Sequence, residues 1–263
     1  MFRRKALHNA REFILLSVLT LIMLSVVFQA GATPEGATPT LVSSGTRSAQ
    51  QATTSRSDAG GQFVYVNLSS TQTQGKWKAY VGNVSGTLVL ADGNGYSIYE
   101  WALTSTITGE VYATRNNSIS WSNVTCASTE PIFREDAFLN QTHTASDSIN
   151  RTFSLSYNHT ATAIGTTTVS NCTTVLPFVN NTAQTNSPSN IFPEFIIGAN
   201  DTLGTNSSNQ TDANHLVFVV GIAYTSTTIS SYNNQSTFDF EMIVPDSSSE
   251  SGAIPYYFYL EID

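Results

Sequence analysis

The sequence predicts an all-β fold, an antiparallel β-sandwich or jelly-roll-like domain over residues 63–263, following an N-terminal hydrophobic helix and a flexible linker. Three observations predict it. Apolar residues recur at every second position in several stretches, which is the period of a half-buried strand. Asn, Gly and Ser separate those stretches at short spacing, as turns between strands do. No helical period is sustained beyond residue 32, where only Pro131 to Gln141 suits one short helix.

At the N-terminus, Arg3, Arg4, Lys5 and Arg11 precede an uncharged run from Phe13 to Phe28, and Ala30-Gly31-Ala32 supplies small residues for cleavage. That order of charge, apolar run and cleavage site is the layout of an export signal. Residues 1–32 are therefore expected to be a signal peptide cut after Ala32. The alternative is an uncleaved anchor that touches the membrane only through residues 13–32, a borderline length for a bilayer core of about 30 Å. Arg3-Arg4 is weakly like a twin-arginine signal, but the apolar run is too strong for that route. A pilin-like leader fits poorly too, since Thr33-Pro34-Glu35-Gly36 breaks the helix just beyond the run.

Residues 33–62 contain Thr, Ser, Gly, Ala, Gln and Pro, with Leu41 and Val42 the only larger aliphatics. Too little can be buried there to offset ordering entropy, so the segment is expected to be a linker or stalk. Past it, Trp77, Ala79 and Val81 alternate with Lys76, Lys78 and Tyr80, which assigns the first three to the inward face. Phe153, Leu155 and Tyr157 alternate in the same way, as do Phe238, Phe240 and Met242 against Asp239 and Glu241. Leu216-Val217-Phe218-Val219-Val220 is continuous instead, as in a strand covered on both faces. Between Thr87-Leu88-Val89-Leu90 and Tyr96-Ser97-Ile98-Tyr99 stands Ala91-Asp92-Gly93-Asn94-Gly95, whose Asp-Gly and Asn-Gly pairs tolerate the positive φ of a hairpin turn.

Charged residues are only 11% of the chain and its formal net charge is −8. Such a surface repels phosphate backbones, which argues against a nucleic-acid partner. Ser and Thr take the place of charge, and with them come thirteen Asn-x-Ser/Thr sequons: Asn67, Asn83, Asn116, Asn123, Asn140, Asn150, Asn158, Asn171, Asn180, Asn200, Asn206, Asn209 and Asn234. Chance placement of Ser and Thr in so rich a chain gives about five or six. The excess predicts that several carry sugar, whose hydration would replace that of the missing charge. Asn83 and Asn150, in or beside expected strands, are assigned structural roles.

Cys126 and Cys172 are the only cysteines, and in an exported chain they are expected to form one disulfide. No local signature of a hydrolase, P-loop, dinucleotide fold or zinc site occurs after residue 32. The chain is accordingly expected to be no enzyme and to hold no metal or cofactor. Three alternatives carry named residues. Glu100, Glu110, Glu194, Asp239 and Glu241 are candidates for the facing carboxylates of a secreted glycoside hydrolase. Asp92 and Asn94 offer oxygens to calcium, although hairpin chemistry explains them without it. Trp77, Trp101 and Trp121 would form a sugar-stacking platform, or else fill the core.

Taken together, a basic leader, an apolar run, a Thr/Ser/Pro stalk and a sequon-dense β domain low in lysine resemble the layout of archaeal secreted surface glycoproteins. The resemblance implies a non-enzymatic extracellular or cell-surface structural glycoprotein, an envelope, sheath or filament component. Its implied partners are copies of itself, other surface proteins and glycans; a carbohydrate-binding adhesin is the alternative.

Overall fold

The uninterrupted run from Leu216 lies at the centre of the main sheet, where β-branched and aromatic residues are packed from both sides. The computed structural model describes residues 33–45, 55–70, 74–101, 107–156, 159, 161–185, 191–199, 215–223, 231–247 and 254–262. The leader, residues 1–32, lies outside them.

The strands are β1 (Glu35–Ala37), β2 (Trp77–Gly82), β3 (Leu88–Ala91), β4 (Ser97–Trp101), β5 (Gly109–Thr114), β6 (Thr125–Cys126) and β7 (Leu155–Ser156). They continue with β8 (Thr162–Ile164), β9 (Thr167–Val169), β10 (Thr173–Val175), β11 (Glu194–Gly198), β12 (Leu216–Gly221), β13 (Phe240–Pro245) and β14 (Tyr257–Ile262). Helical structure is confined to a 3-10 turn at Trp121–Asn123, a helix α1 (Thr129–Phe138) and a one-turn helix α2 (Ile149–Thr152) among the described residues. The mostly β architecture matches the sequence expectation, and every strand pairing is antiparallel.

Eight strands form the main sheet in the order β1-β14-β5-β12-β11-β10-β7, with β6 also paired to β11. Successive side chains of a strand point to opposite faces, and this divides the core in two. On one face Leu216, Phe218 and Val220 join Val111, Ala113 and Ile196 beneath Met242 and Val244 of the β2–β13 ribbon and Ile132, Leu139 and Ile149 of the helical segment. On the other, Val217 and Val219 join Tyr112, Phe195 and Ile197 beneath Trp121, Val124, Cys172 and the β8–β9 hairpin residues Ile164 and Val169. Full burial of each large apolar side chain contributes about 1.5–3 kcal/mol.

Ser148 supplies the N-cap of α2, its hydroxyl accepting from the Arg151 backbone N–H at 3.2 Å. In α1, Glu130 in the first turn pairs with Arg134 one turn on, at 2.9 Å. Pro131 in that first turn removes a donor that has no intrahelical acceptor.

Three expectations need correction. Glu35–Ala37, assigned to the linker, is an edge strand paired with Phe258 to Leu260 of β14. The strand at Trp77 exists and Trp77 packs against the core as expected, but past it the assignment fails: Tyr80 packs edge-on to Phe258 at 4.9 Å, while Ala79 and Val81 are exposed. The amphipathic Lys78 and Tyr80 bury their stems, and the Lys78 amine reaches Asp246 at 3.1 Å and the Ile254 carbonyl at 2.5 Å. Finally, the Phe153, Leu155, Tyr157 alternation is not one strand. Phe153 is the buried C-terminal cap of α2, only Leu155–Ser156 is extended, and Tyr157 lies outside the described residues.

Candidate interaction surface and modification sites

The β3–β4 hairpin forms as its turn residues dictate. The Asp92 carboxylate accepts from the Asn94 and Tyr96 backbone N–H groups, each at 2.9 Å, and Gly95 takes a φ of 84°. Those bonds, that of Tyr96 foremost, hold the Asp92 carboxyl below its ordinary range. The oxygen proposed for calcium is thus engaged by the turn itself.

Pairing puts Leu88 opposite Trp101 and Leu90 opposite Tyr99, so these four share one face of the ribbon, and Val89 with Glu100 occupies the other. Tyr99 and Trp101 meet edge-on at 4.9 Å. Leu90, Tyr99 and Trp101 are 56%, 59% and 47% exposed, and Ile98, at the bulge, is 80% exposed. Among the described residues this ribbon pairs with no third strand. A two-stranded ribbon is marginal in water, and this one leaves its apolar face open.

A second unpaired stretch is Phe63-Val64-Tyr65-Val66-Asn67-Leu68, rich in strand formers yet outside every ladder among the described residues. Phe63 and Tyr65 meet edge-on at 5.0 Å, and Phe63, Tyr65 and Leu68 are exposed.

The three tryptophans do not form one platform. Trp77 packs against the first core cluster and donates its indole N–H to the Asp147 carbonyl at 2.7 Å. Trp121 is buried in the second cluster between Tyr112 and Tyr259. Trp101 alone is open to solvent.

Of the sequons, Asn67, Asn83, Asn123, Asn140, Asn171, Asn180 and Asn234 are exposed, and Asn116 and Asn150 are half-buried. Asn158, Asn200, Asn206 and Asn209 lie outside the described residues. Asn140, Asn171, Asn180 and Asn234 have φ of 55°, 59°, 53° and 56°, a left-handed conformation that asparagine tolerates at turns. At those four positions the amide is part of a turn as well as of a sequon. Asn150 donates to the His143 carbonyl at 3.4 Å from within α2, whereas Asn83 is exposed just past β2.

Cys126 and Cys172 are bonded, with Cα atoms 4.9 Å apart. The bond draws β6 and the segment before β10 together across the second face.

Of the carboxylates considered for hydrolysis, Glu194, Glu241 and Asp239 accept hydrogen bonds from backbone N–H groups. Glu194, fully buried, accepts from the Ile243 N–H at 2.8 Å; its other oxygen has no partner among the described residues, and burial pushes its carboxyl well above the usual range. Glu241 is raised by burial while accepting from the Tyr232 N–H. Asp239 accepts from the Val84 N–H, and Glu100 is exposed on the ribbon. Glu110, in β5, is half-buried. Burial likewise raises Glu135 against the opposing Arg115, whose guanidinium grips it at 2.5 and 2.8 Å, and raises Asp136, which accepts from the Ile149 N–H. Glu135 and Asp136, adjacent on α1, look toward different partners.

The pattern that sequence reading missed is this set of buried acids, joined by Glu261, which accepts from the Tyr112 hydroxyl at 2.6 Å and the Gly165 N–H at 2.9 Å. Each binds a donor nine or more residues away, so no local spacing marks it. Among the described residues no three His, Cys, Asp or Glu side chains gather as metal ligands would. His143 stacks on Phe133 and His159 on Phe195, and His215 lies 3.1 Å from the Ala199 carbonyl. No described helix is long and apolar enough to cross a membrane.

Comparison of the chain with protein-family models, with curated proteins and with solved structures finds no match.

Proposed function

We propose that this chain is a non-enzymatic extracellular or cell-surface structural glycoprotein, an envelope, sheath or filament component. Residues 1–32 export or anchor it, and several of its described sequons carry N-linked sugar. In this reading the main sheet and the β2–β13 ribbon are the two layers of an incomplete sandwich. The observation that carries the proposal is that none of the nine described sequon asparagines is buried, so each is open at least in part to modification. The exposed apolar ribbon supports it further, since an assembling subunit needs such a surface.

The test is the intact mass of protein from its native host before and after enzymatic removal of N-glycans. A loss of several glycan masses is expected, and a bare polypeptide mass overturns the proposal.

One observation favours a second reading, a carbohydrate-binding adhesin: Tyr99 and Trp101 present an exposed aromatic pair on one face. Binding on a glycan array that disappears in Trp101→Ala, with an unchanged melting temperature, supports it; no binding by the wild-type chain removes it.

A further inference from the structure

We propose that copies of this chain join head to tail by strand addition, with Phe63–Leu68 of one copy pairing along an open edge of the β3–β4 hairpin of the next. The inference rests on the structural-subunit reading and names the contact that would build the assembly.

Two incomplete pieces carry it. The hairpin has an apolar face of Leu88, Leu90, Tyr99 and Trp101 but only two strands. Three strands with an apolar face are the least that is independently stable in water. The segment Phe63–Leu68 is long enough to span either hairpin strand, is composed of strand formers, and has no ladder of its own among the described residues. Added to the hairpin, it supplies the third strand: backbone N–H and C=O groups on both sides find partners, and apolar side chains cover one another.

Charge points to the same place. The chain carries a formal net charge of −8, so two copies repel on average. Residues 63–68 carry no charge, and the hairpin strands carry only Glu100, which lies on the face opposite Tyr99 and Trp101.

Strand alternation also makes the pairing compatible with sugar. Val64, Val66 and Leu68 share one face of an extended segment, and Phe63, Tyr65 and Asn67 share the other. When Val64, Val66 and Leu68 continue the Leu90–Trp101 face, Asn67 points to the far side, beside Glu100. A glycan there flanks the assembly without blocking it.

Donor and acceptor are different surfaces of one chain, so the contact is heterologous. It propagates to an open polymer or closes into a ring instead of stopping at a dimer.

Two full-chain variants test this, each exported so that the leader is processed as in the native protein. Val66→Pro removes a strand donor from the segment and disables it. Leu90→Asp combined with Trp101→Asp charges the hairpin face and disables it as acceptor. Neither site supports the main sheet, and melting temperature checks that both variants stay folded. By sedimentation velocity the wild-type chain is expected to form species larger than dimers in a concentration-dependent way, and each variant alone to remain monomeric. Mixed one to one, they are expected to form dimers and nothing larger, a twofold rise in mass, because one good donor meets one good acceptor.

Monomers in the mixture overturn the proposal, as does a monomeric wild-type chain whose amides at 63–68 are protected from exchange, which means pairing within one chain. Glycans present with monomers throughout sink this inference and leave the structural-glycoprotein reading standing; a bare polypeptide that still assembles does the reverse.

Discussion

The strand β12 and the β3–β4 hairpin are made of the same material, aliphatic and aromatic strand formers, and differ in what surrounds them. From Leu216 to Val220 every residue of β12 is buried, while from Val89 to Trp101 every residue of the hairpin is exposed. In β12 both faces are covered, by the β2–β13 ribbon and helices on one side and by Trp121, the β8–β9 hairpin and the disulfide on the other. In the hairpin the apolar face meets water. Similar strand formers thus make a core in one place and an exposed face in the other, and only the presence of cover separates them.

Truncating one side chain in each region measures the difference in cover. Phe218→Ala leaves a cavity at the centre of the first cluster and is expected to cost about 3–5 kcal/mol of stability in urea unfolding, whereas Ile98→Ala stays within about 0.5 kcal/mol. Comparable losses at both sites would show that the hairpin is covered in solution by its own chain.

Opening the disulfide removes part of the cover on the second face. For its sequence separation of 46 residues, the chain-entropy picture gives on the order of 4 kcal/mol, so Cys126→Ser with Cys172→Ser should lower the melting temperature markedly. An unchanged transition would show that the second cluster holds without it.

A smaller, pH-dependent effect comes from Glu194 beneath β13. Burial raises its carboxyl well above the usual range, so the folded chain holds this proton more tightly than the unfolded chain does. The stability it contributes is complete below the ordinary carboxylate value and is lost as pH rises through the folded value. Glu194→Gln stays uncharged, and should therefore melt higher than wild type near about pH 8, with the gap closing toward about pH 4. A gap equal at both ends would mean that the carboxylate is solvated. The smallest effect is expected at Trp101→Ala, where melting is unchanged and only contact with a partner or glycan is lost.

How much of this is legible before folding depends on whether the signal is local. The continuous run at Leu216 announces a two-sided core strand, Asp92 to Gly95 announce the hairpin turn, and two cysteines, given the expectation of export, announce their bond. Glu35–Ala37 carries no strand signal at all; it is extended because β14 offers it an edge. The faces of β2 follow the Lys78 and Tyr80 partners Asp246 and Phe258, which alternation alone cannot rank. Phe153 alternates with Leu155, yet the Ser148 cap starts a helical turn that claims it. Among the site residues, Trp77 and Trp121 suit either a stacking platform or a core by sequence, and the fold packs the first against one core cluster and the second within the other.

The chain beyond residue 32 is proposed to be exported and modified at its exposed asparagines. Peptide mapping of native protein by mass spectrometry tests it most directly. The account predicts N-linked sugar at several of Asn67, Asn83, Asn123, Asn140, Asn171, Asn180 and Asn234, together with a Cys126–Cys172 linked peptide. Unmodified asparagines at all seven, with both thiols free, would contradict it.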